Sequence, residues 1–201
     1  MKPFLSLALC LLAALLMVLP EPIIEVLYFD RQQLSSGNLW SLVTGHWMHA
    51  DGQHLMWNLM GLAILGTMIE RHSRTMLLLS LGMGILAVNL LLLSPFSELQ
   101  RYCGLSGVLN TLLGVVLYCR WRETRSIVVP IVGVLSVAKI FVEIQVGTSL
   151  FTDISWPPYP LAHLAGLLAT PATLLIYFGL LSGGLKLNSS LSSQDSLAIR
   201  V

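Results

Sequence analysis

Six long stretches of apolar residues alternate along the chain with more polar segments that carry almost all of its charges. The apolar stretches cover residues 4–19, 54–69, 76–93, 106–119, 127–146 and 161–181. A helix that crosses a bilayer needs about 20 apolar residues, whereas a spanning strand shows alternation over about 10. The pattern predicts an all-α membrane protein, with a six-transmembrane-helix bundle over residues 1–182.

The segments outside the bundle differ in composition. Residues 20–53 form a long first loop that mixes charges with apolar residues, and Trp40 and Trp47 within it suit the headgroup level of a membrane. We expect this loop to lie at the membrane interface. Residues 183–201 are rich in Gly and Ser with few apolar clusters, which predicts a flexible cytoplasmic tail. No Ala-x-Ala cleavage site follows the first apolar stretch, so we expect it to be retained.

The composition agrees with a membrane protein. Hydrophobic residues make up 55% of the chain and charged residues only 10%, whereas soluble domains carry about 25% charged residues. The net charge of +1 gives no reason to expect nucleic acid as a partner. Cys10 lies inside the first stretch, and Cys103 and Cys119 lie roughly 24 Å apart at the ends of one helix. We therefore expect no intrachain disulfide.

The positive charges are distributed unequally between the two sides of the predicted bundle. Eight of the eleven Lys and Arg residues fall on the side of the termini, two on the other side, and Lys139 within a span. The eight are Lys2, Arg71, Arg74, Arg120, Arg122, Arg125, Lys186 and Arg200, and the two are Arg31 and Arg101. The positive-inside rule then predicts that both termini are cytoplasmic.

A serine at the start of the fourth stretch has glycines close on both sides. Ser106 follows Gly104 by two residues and precedes Gly107, where a polar loop becomes an apolar helix. Glycines leave room for a substrate backbone to approach a nucleophile, and a helix N-terminus can stabilise an oxyanion. The alternative is a helix-capping serine beside a glycine turn, which is a common arrangement.

Further polar residues fall at the same predicted membrane level as this serine. His54 and Asn58 are four residues apart on one face of the second helix, and His163 lies near the outer end of the sixth. Ala162 and Gly166 form a small-xxx-small pair that allows another helix to pack closely. Placing polar residues inside a membrane costs free energy, so polar residues found there usually have a function.

These residues together predict a serine hydrolase site. Ser106 would be the nucleophile and His163 its base, while His54, Asn58 and the Ser106 backbone N–H would bind the oxyanion. No aspartate lies in the spans to orient the histidine, so the prediction is a Ser–His dyad. The alternative for each polar residue alone is an interhelical hydrogen bond.

Other polar residues favour structural interpretations. His46, His49 and His54 cluster without a zinc motif, so we predict no metal and a role for the first two in folding the loop. Lys139 and Glu143 are four apart and are predicted to pair, with contact to substrate as the functional alternative. A non-catalytic membrane protein is the competing class, for example a transporter or a haem protein that uses the two outer histidines. We expect no cofactor.

Three motifs in order resemble the rhomboid intramembrane serine protease family. They are Gly104-Leu105-Ser106-Gly107, the sequence Ala162-His163-Leu164-Ala165-Gly166, and His49, His54 and Asn58 at the spacing His-x4-His-x3-Asn; Glu70-Arg71 after the second helix also fits. The resemblance implies the same serine nucleophile, histidine base and oxyanion donors. One departure is that Ser41 follows Trp40, where many rhomboids have arginine.

Finer features resemble the rhombosortase branch of that family. These features are a compact form with six predicted helices, the sequence Thr44-Gly45-His46, Cys103 before the serine motif, and the pair formed by Lys139 and Glu143. The branch implies a bacterial inner membrane location with the site near the periplasmic face. It also implies transmembrane protein substrates whose C-terminal tails combine a glycine-rich motif, a hydrophobic helix and a basic end.

Overall fold

The computed structural model of the chain describes residues 2–150 and 155–198, with side chains through Ser182, and these residues are mostly helical. The helices are α1 Phe4–Leu16, α2 Glu21–Leu27, α3 Arg31–Ser35, α4 Ser41–Thr44, α5 Gly52–Gly61, α6 Thr67–His72, α7 Arg74–Leu93, α8 Ser106–Thr124, α9 Val128–Val146 and α10 Pro160–Ala198. A π-helical segment, Leu62–Gly66, joins α5 to α6. Two short strands, β1 Phe29–Asp30 and β2 Arg101–Tyr102, pair antiparallel.

Helices long and apolar enough to span a membrane are α7, α9 and residues 160–182 of α10. The predicted helical membrane bundle is therefore confirmed, while its count of six spans stays a prediction. The helices of the other three apolar stretches are too short, interrupted or too charged to meet the same criterion of length and hydropathy. Helix α1 has only 13 residues, the second stretch is divided by its π-helical segment, and the end of α8 carries Arg120, Arg122 and Glu123. Helix α10 continues to Ala198, within the segment that was predicted to be a flexible tail. The flexibility of that segment stays a prediction.

Small residues bring α7, α8 and α10 into close contact at the centre of the bundle. A Cβ atom on Gly84 of α7 would lie 2.9 Å from Val108 Cγ1 on α8, and one on Gly114 of α8 would lie 2.2 Å from Thr170 Oγ1 on α10. Real Cβ atoms essentially never come so close to other heavy atoms. These glycines therefore set the spacing of the three helices that surround the core.

Helix α9 packs much more loosely than its neighbours. Only Ile140 and Glu143 of its 19 residues are buried. By comparison, α8 also has 19 residues, and seven of them are buried. Most of α9 therefore faces outward, and its buried glutamate is the polar exception.

The first loop is a folded element and not an extended connection. Helices α2, α3 and α4 lie within it, and the pairing of β1 with β2 joins it to the segment before α8. The Arg31 guanidinium adds hydrogen bonds to the carbonyl oxygens of Leu92, Ser97 and Leu99. An arginine at another position of the loop thus anchors it, although Ser41 stands where many rhomboids have arginine.

The two loop tryptophans, both predicted to lie at the headgroup level, differ in exposure, and for Trp40 the interfacial role stays a prediction. Trp40 is 55% exposed and donates from its indole N–H to the carbonyl of Val26. Trp47 is buried and packs into the main apolar core. The prediction for Trp47 was wrong because the loop folds back over the helices and covers it.

A buried carboxylate joins α1 to α6. Glu70 accepts hydrogen bonds from the backbone N–H groups of Leu5 and Ser6, at 3.0 and 2.8 Å, and from the Ser6 hydroxyl at 2.8 Å. Its side chain is fully buried, with Arg74 3.3 Å away. The first turn of α1 has no side-chain cap of its own, so Glu70 supplies the missing acceptor from another helix.

We expect Glu70→Ala to lower the free energy of unfolding by about 3 kcal/mol, because it leaves buried donors without an acceptor. Thermal unfolding in detergent micelles measures the effect. The matched control is Glu123→Ala, which removes an exposed ion pair with Arg120 and should cost less than about 1 kcal/mol. Equal effects of the two substitutions would contradict a role for Glu70 in holding α1.

Candidate active site

The polar residues predicted from separate stretches line one cavity of about 520 Å³. It lies between α5, α8, α9 and α10, and its walls include His54, Asn58, Ser106, Lys139 and His163. The prediction that these groups share one level of the bundle is thus consistent with the structure. Four helices contribute to a single polar site.

The serine and the histidine are in direct contact. Ser106 Oγ lies 3.0 Å from His163 Nε2. Ser106 is the first residue of α8, whose N-cap is Leu105 and has no side-chain capping bond. The alternative of a capping serine therefore does not describe this residue. Its hydroxyl bonds to the imidazole of another helix, within the reach needed for proton transfer.

A glutamate contacts the other side of the same imidazole. His163 Nδ1 lies 3.2 Å from Glu143 Oε2, and Glu143 is fully buried. The sequence analysis predicted a dyad because no aspartate lies in the spans, and the structure instead places a glutamate against the histidine. Glu143 was overlooked because only aspartates were considered and because the glutamate was assigned to Lys139.

The predicted pair of Lys139 and Glu143 is present as well. Lys139 Nζ lies 2.6 Å from Glu143 Oε1, and the same oxygen accepts the backbone N–H of Leu150 at 3.0 Å. The two oxygens of one carboxylate thus face different partners. Oε1 contacts its own helix and the following loop, while Oε2 faces His163.

His54 is oriented as a hydrogen-bond donor toward the cavity. Its Nδ1 accepts the backbone N–H of Ala50 at 3.4 Å, so a neutral ring carries its proton on Nε2. A Cβ atom on Gly104 would lie 2.6 Å from that Nε2. The ring therefore lies directly against the backbone that leads into Ser106. This arrangement is compatible with the predicted oxyanion role.

The glycines beside Ser106 serve the packing of the protein itself. Gly104 has a φ of +112°, a conformation that other residues rarely adopt, and the His54 ring fills the space of a side chain. A Cβ atom on Gly107 would lie 3.0 Å from the carbonyl oxygen of Ala162 and 2.9 Å from Val88 Cγ2. The expectation that these glycines make room for substrate is corrected, since α7, α10 and His54 occupy that room.

The neighbouring backbone is also held by the first loop. Gly104 donates its N–H to the carbonyl of Gly45 at 3.1 Å, and the Tyr102 hydroxyl donates to the carbonyl of Gly104 at 3.0 Å. Gly45 itself has no room for a side chain, because a Cβ atom there would lie 2.7 Å from the backbone nitrogen of Phe29. The Thr44-Gly45-His46 sequence therefore supports the loop that presents Ser106.

Asn58 lies on the cavity wall with one amide hydrogen already used. Its Nδ2 donates to the carbonyl of His54 at 3.0 Å. The NH₂ group has a second hydrogen, which remains for another acceptor. On α8, Asn110 makes the same kind of bond, from Nδ2 to the carbonyl of Ser106 at 2.9 Å. Asn110 also lines the cavity and was missed in the sequence.

The two remaining histidines of the first loop are buried. His49 lies edge-on to His54 with ring centroids 5.1 Å apart, and burial lowers its pKa to about 3. His46 contacts Asn89 of α7 at 3.0 Å, and burial lowers its pKa to about 4. Both are therefore neutral, and their contacts agree with a role in folding the loop. Within the described ranges, no three His, Cys, Asp or Glu side chains gather as metal ligands.

The segment before α10 forms one wall of the cavity. Trp156 lies 4.8 Å from the Tyr28 ring, and the Arg101 guanidinium lies 4.7 Å from the Trp156 ring. The backbone N–H of Ser155 also donates to Asp51, the N-cap of α5, at 2.7 Å. Arg101 and Trp156 line the cavity and were not predicted as site residues. The proximity of these rings to Arg101 depends on the loop fold, which no local pattern reveals.

Comparison with known protein families identifies the class. The model of the rhomboid domain matches residues 36–180, a span of 145 residues in a chain of 201. The chain therefore belongs to the rhomboid family, whose members are generally intramembrane serine proteases that act on transmembrane substrates. A search of the curated proteins finds no match. The family and the apolar helices together indicate a multi-pass integral membrane protein.

Proposed function

We propose that the chain is an intramembrane serine endopeptidase, with Ser106 as its nucleophile and His163 as its general base. The observation that carries the proposal is the 3.0 Å contact between Ser106 Oγ and His163 Nε2 on the wall of a cavity inside the helix bundle. A hydroxyl bonded to an imidazole can lose its proton as it attacks a carbonyl carbon. A structural serine needs no such partner.

The reaction proceeds by two acyl transfers. The Ser106 oxygen bonds to the scissile carbonyl carbon while its proton moves to His163 Nε2. The oxyanion accepts hydrogen bonds from the Ser106 backbone N–H, His54 Nε2–H and Asn58 Nδ2–H. His163 then returns the proton to the departing amine as the C–N bond breaks, and water hydrolyses the ester by the same route.

Substrate helices reach the cavity from the side of α9. This route is supported by the loose packing of that helix, which buries only Ile140 and Glu143. The substrate must unwind near the cavity, because a helix keeps its carbonyl groups hydrogen-bonded and shielded. Glycines in the substrate lower the cost of this unwinding by up to about 1 kcal/mol each relative to alanine.

The substrates are exported proteins with glycine-rich C-terminal sorting tails, processed at the periplasmic face of a bacterial inner membrane. The resemblance of Thr44-Gly45-His46, Cys103 and Lys139 with Glu143 to the rhombosortase branch supports this choice. The distribution of Lys and Arg supports six spans with both termini in the cytoplasm.

The decisive experiment is cleavage of a tailed substrate in reconstituted vesicles, followed by mass spectrometry of the released protein. We expect a new C-terminus within the glycine-rich segment. A free carboxylate there indicates hydrolysis, and an added amine group indicates transfer to another acceptor. An intact tail with the wild-type enzyme and cleavage of an unrelated transmembrane helix would contradict the proposed substrate class but not the proposed protease.

Asn58→Ala should lower kcat by about 10²–10³-fold, the usual cost of one oxyanion donor. The matched control is Asn110→Ala, which removes the same kind of bond to a carbonyl four residues earlier. Steady-state cleavage and thermal unfolding are measured for both variants. Equal losses of kcat in the two variants would contradict the role of Asn58 as an oxyanion donor.

A further inference from the structure

We propose that Glu143 is a positioning residue that fixes the tautomer and orientation of His163. The inference rests on the proposed function, because it assigns a third member to the same site. Oε2 of this buried carboxylate lies 3.2 Å from His163 Nδ1, while Ser106 Oγ lies 3.0 Å from the opposite ring nitrogen. The carboxylate, imidazole and hydroxyl therefore form one continuous chain of contacts across α9, α10 and α8.

The carboxylate is held in place by groups on two segments. Lys139, one turn earlier on α9, contacts Oε1 at 2.6 Å, and the backbone N–H of Leu150 donates to the same oxygen at 3.0 Å. The Ser149 hydroxyl lies 3.4 Å from it. The positive ammonium and these donors favour the ionised form of a carboxylate that has no solvent exposure. They also leave Oε2 to face the imidazole.

The chemical consequence concerns the proton on the imidazole. An ionised carboxylate only accepts hydrogen bonds, so the neutral ring must carry its proton on Nδ1. Nε2 then presents its lone pair to the Ser106 hydroxyl and can take the serine proton. The imidazolium formed at that step lies beside a negative charge. Without Glu143 the ring can adopt the tautomer with its proton on Nε2. In that tautomer Nε2 has no lone pair to accept a hydrogen bond from the Ser106 hydroxyl.

A purely structural role for Glu143 makes different predictions. Glu143 also joins Lys139 to the loop after α9, so its loss could simply loosen that helix. Such loosening would lower the thermal stability and change KM through substrate access. A positioning role instead lowers kcat and changes the protonation of one histidine ring. These measurements separate the two roles.

The first test compares Glu143→Gln and Glu143→Asp with the wild type in a cleavage assay. The amide of Gln has nearly the shape of the carboxylate but can present N–H to Nδ1, which stabilises the wrong tautomer. We expect kcat to fall by up to about 10⁴-fold for Gln, the loss seen when the same amide substitution is made in a soluble serine protease. KM should stay within about threefold, and Asp should recover part of the loss. Glu123→Gln is the matched control, an exposed Glu on α8 paired with Arg120.

The second test reads the tautomer without using activity. Nitrogen NMR of protein labelled at its five histidines distinguishes N–H from lone-pair nitrogens, and His163→Ala identifies the His163 signals. We expect the proton on Nδ1 in the wild type and a shift toward Nε2 in Glu143→Gln. A wild-type ring protonated on Nε2 would overturn the proposal even if every Glu143 variant failed to fold. So would a Glu143→Gln variant with wild-type kcat.

The outcomes also separate this inference from the proposed function. If the wild type cleaves substrate and Ser106→Ala does not, the protease assignment stands whatever Glu143 does. If the wild type is inactive toward every transmembrane substrate, the protease assignment fails, and the NMR measurement still decides whether Glu143 sets the tautomer of His163.

Discussion

Ser106→Ala and His163→Ala are each expected to abolish covalent labelling by a fluorophosphonate probe and cleavage of a transmembrane substrate. The probe forms a bond to an activated serine oxygen, so it reports nucleophile and base directly and needs no knowledge of the natural substrate. Removing either member of such a pair costs about 10⁶-fold in kcat in a soluble serine protease. Both variants should therefore show background signal only.

The two variants should remain folded. Ser106 Oγ has one hydrogen bond, to the His163 ring, and neither residue is part of the apolar core. Deleting the hydroxyl leaves the helix contacts of α8 unchanged. Thermal unfolding of Ser106→Ala in detergent micelles should therefore stay near that of the wild type. His163→Ala should lower the free energy of unfolding by about 1–3 kcal/mol, because the buried Glu143 Oε2 loses its imidazole contact.

Matched controls come from residues of the same type outside the cavity. Ser136 on α9 bonds its hydroxyl to the carbonyl of Val132, and His72 lies at the end of α6. Ser136→Ala and His72→Ala should keep full labelling. Labelling that persists in Ser106→Ala would show that another nucleophile carries the reaction and would overturn the assignment. Labelling that persists in His163→Ala would remove the histidine as base.

The sequence could predict which residues share a level of the bundle, because membrane helices constrain depth. The predicted six-span topology placed His54, Ser106 and His163 at one level, and in the structure all three line one cavity. The lateral arrangement was not constrained in this way. Glu143 and Lys139 share a helix face in any arrangement, so the sequence predicted their pair, whereas the contact with His163 depends on how α9 packs against α10.

The glycines beside Ser106 also show that the sequence does not reveal contacts between distant segments. The sequence indicated that Gly104 and Gly107 needed space, but the prediction that a substrate backbone fills it was wrong. In the structure the occupants are the His54 ring, the Val88 side chain of α7 and the backbone of α10, all distant along the chain. The small-xxx-small pattern of Ala162 and Gly166 was more informative, because such patterns predict a close helix contact without naming the partner.

Gly166→Ala is the second substitution with a large expected effect. A Cβ atom at Gly166 would lie 1.8 Å from the carbonyl oxygen of Gly107, which is part of the backbone of α8 and cannot rotate away. The Thr111 hydroxyl also donates to the carbonyl of Gly166 at 2.6 Å. Helices α8 and α10 must separate to admit even one methyl group. We expect a loss of about 1–3 kcal/mol or more in stability, as for other overpacked sites.

The control for this substitution lies on the same helix. A Cβ atom on Gly179 would have no heavy atom within 4 Å, so Gly179→Ala adds a methyl group without a clash. Alanine favours a helix over glycine by up to about 1 kcal/mol, and this variant should unfold at or above the wild-type temperature. Thermal unfolding of the two variants therefore separates helix propensity from helix contact.

The loss in Gly166→Ala should extend to activity in the fraction that remains folded. His163 lies three residues before Gly166 on α10, and Ser106 lies next to Gly107 on α8, so the close contact sets the distance between base and nucleophile. A displacement of about 1 Å at a reacting pair can cost about 10²-fold in rate. Fluorophosphonate labelling at a temperature where the variant is folded measures this effect. Wild-type labelling together with wild-type stability would mean that the helices accommodate the methyl group, and the contact would then not control the site.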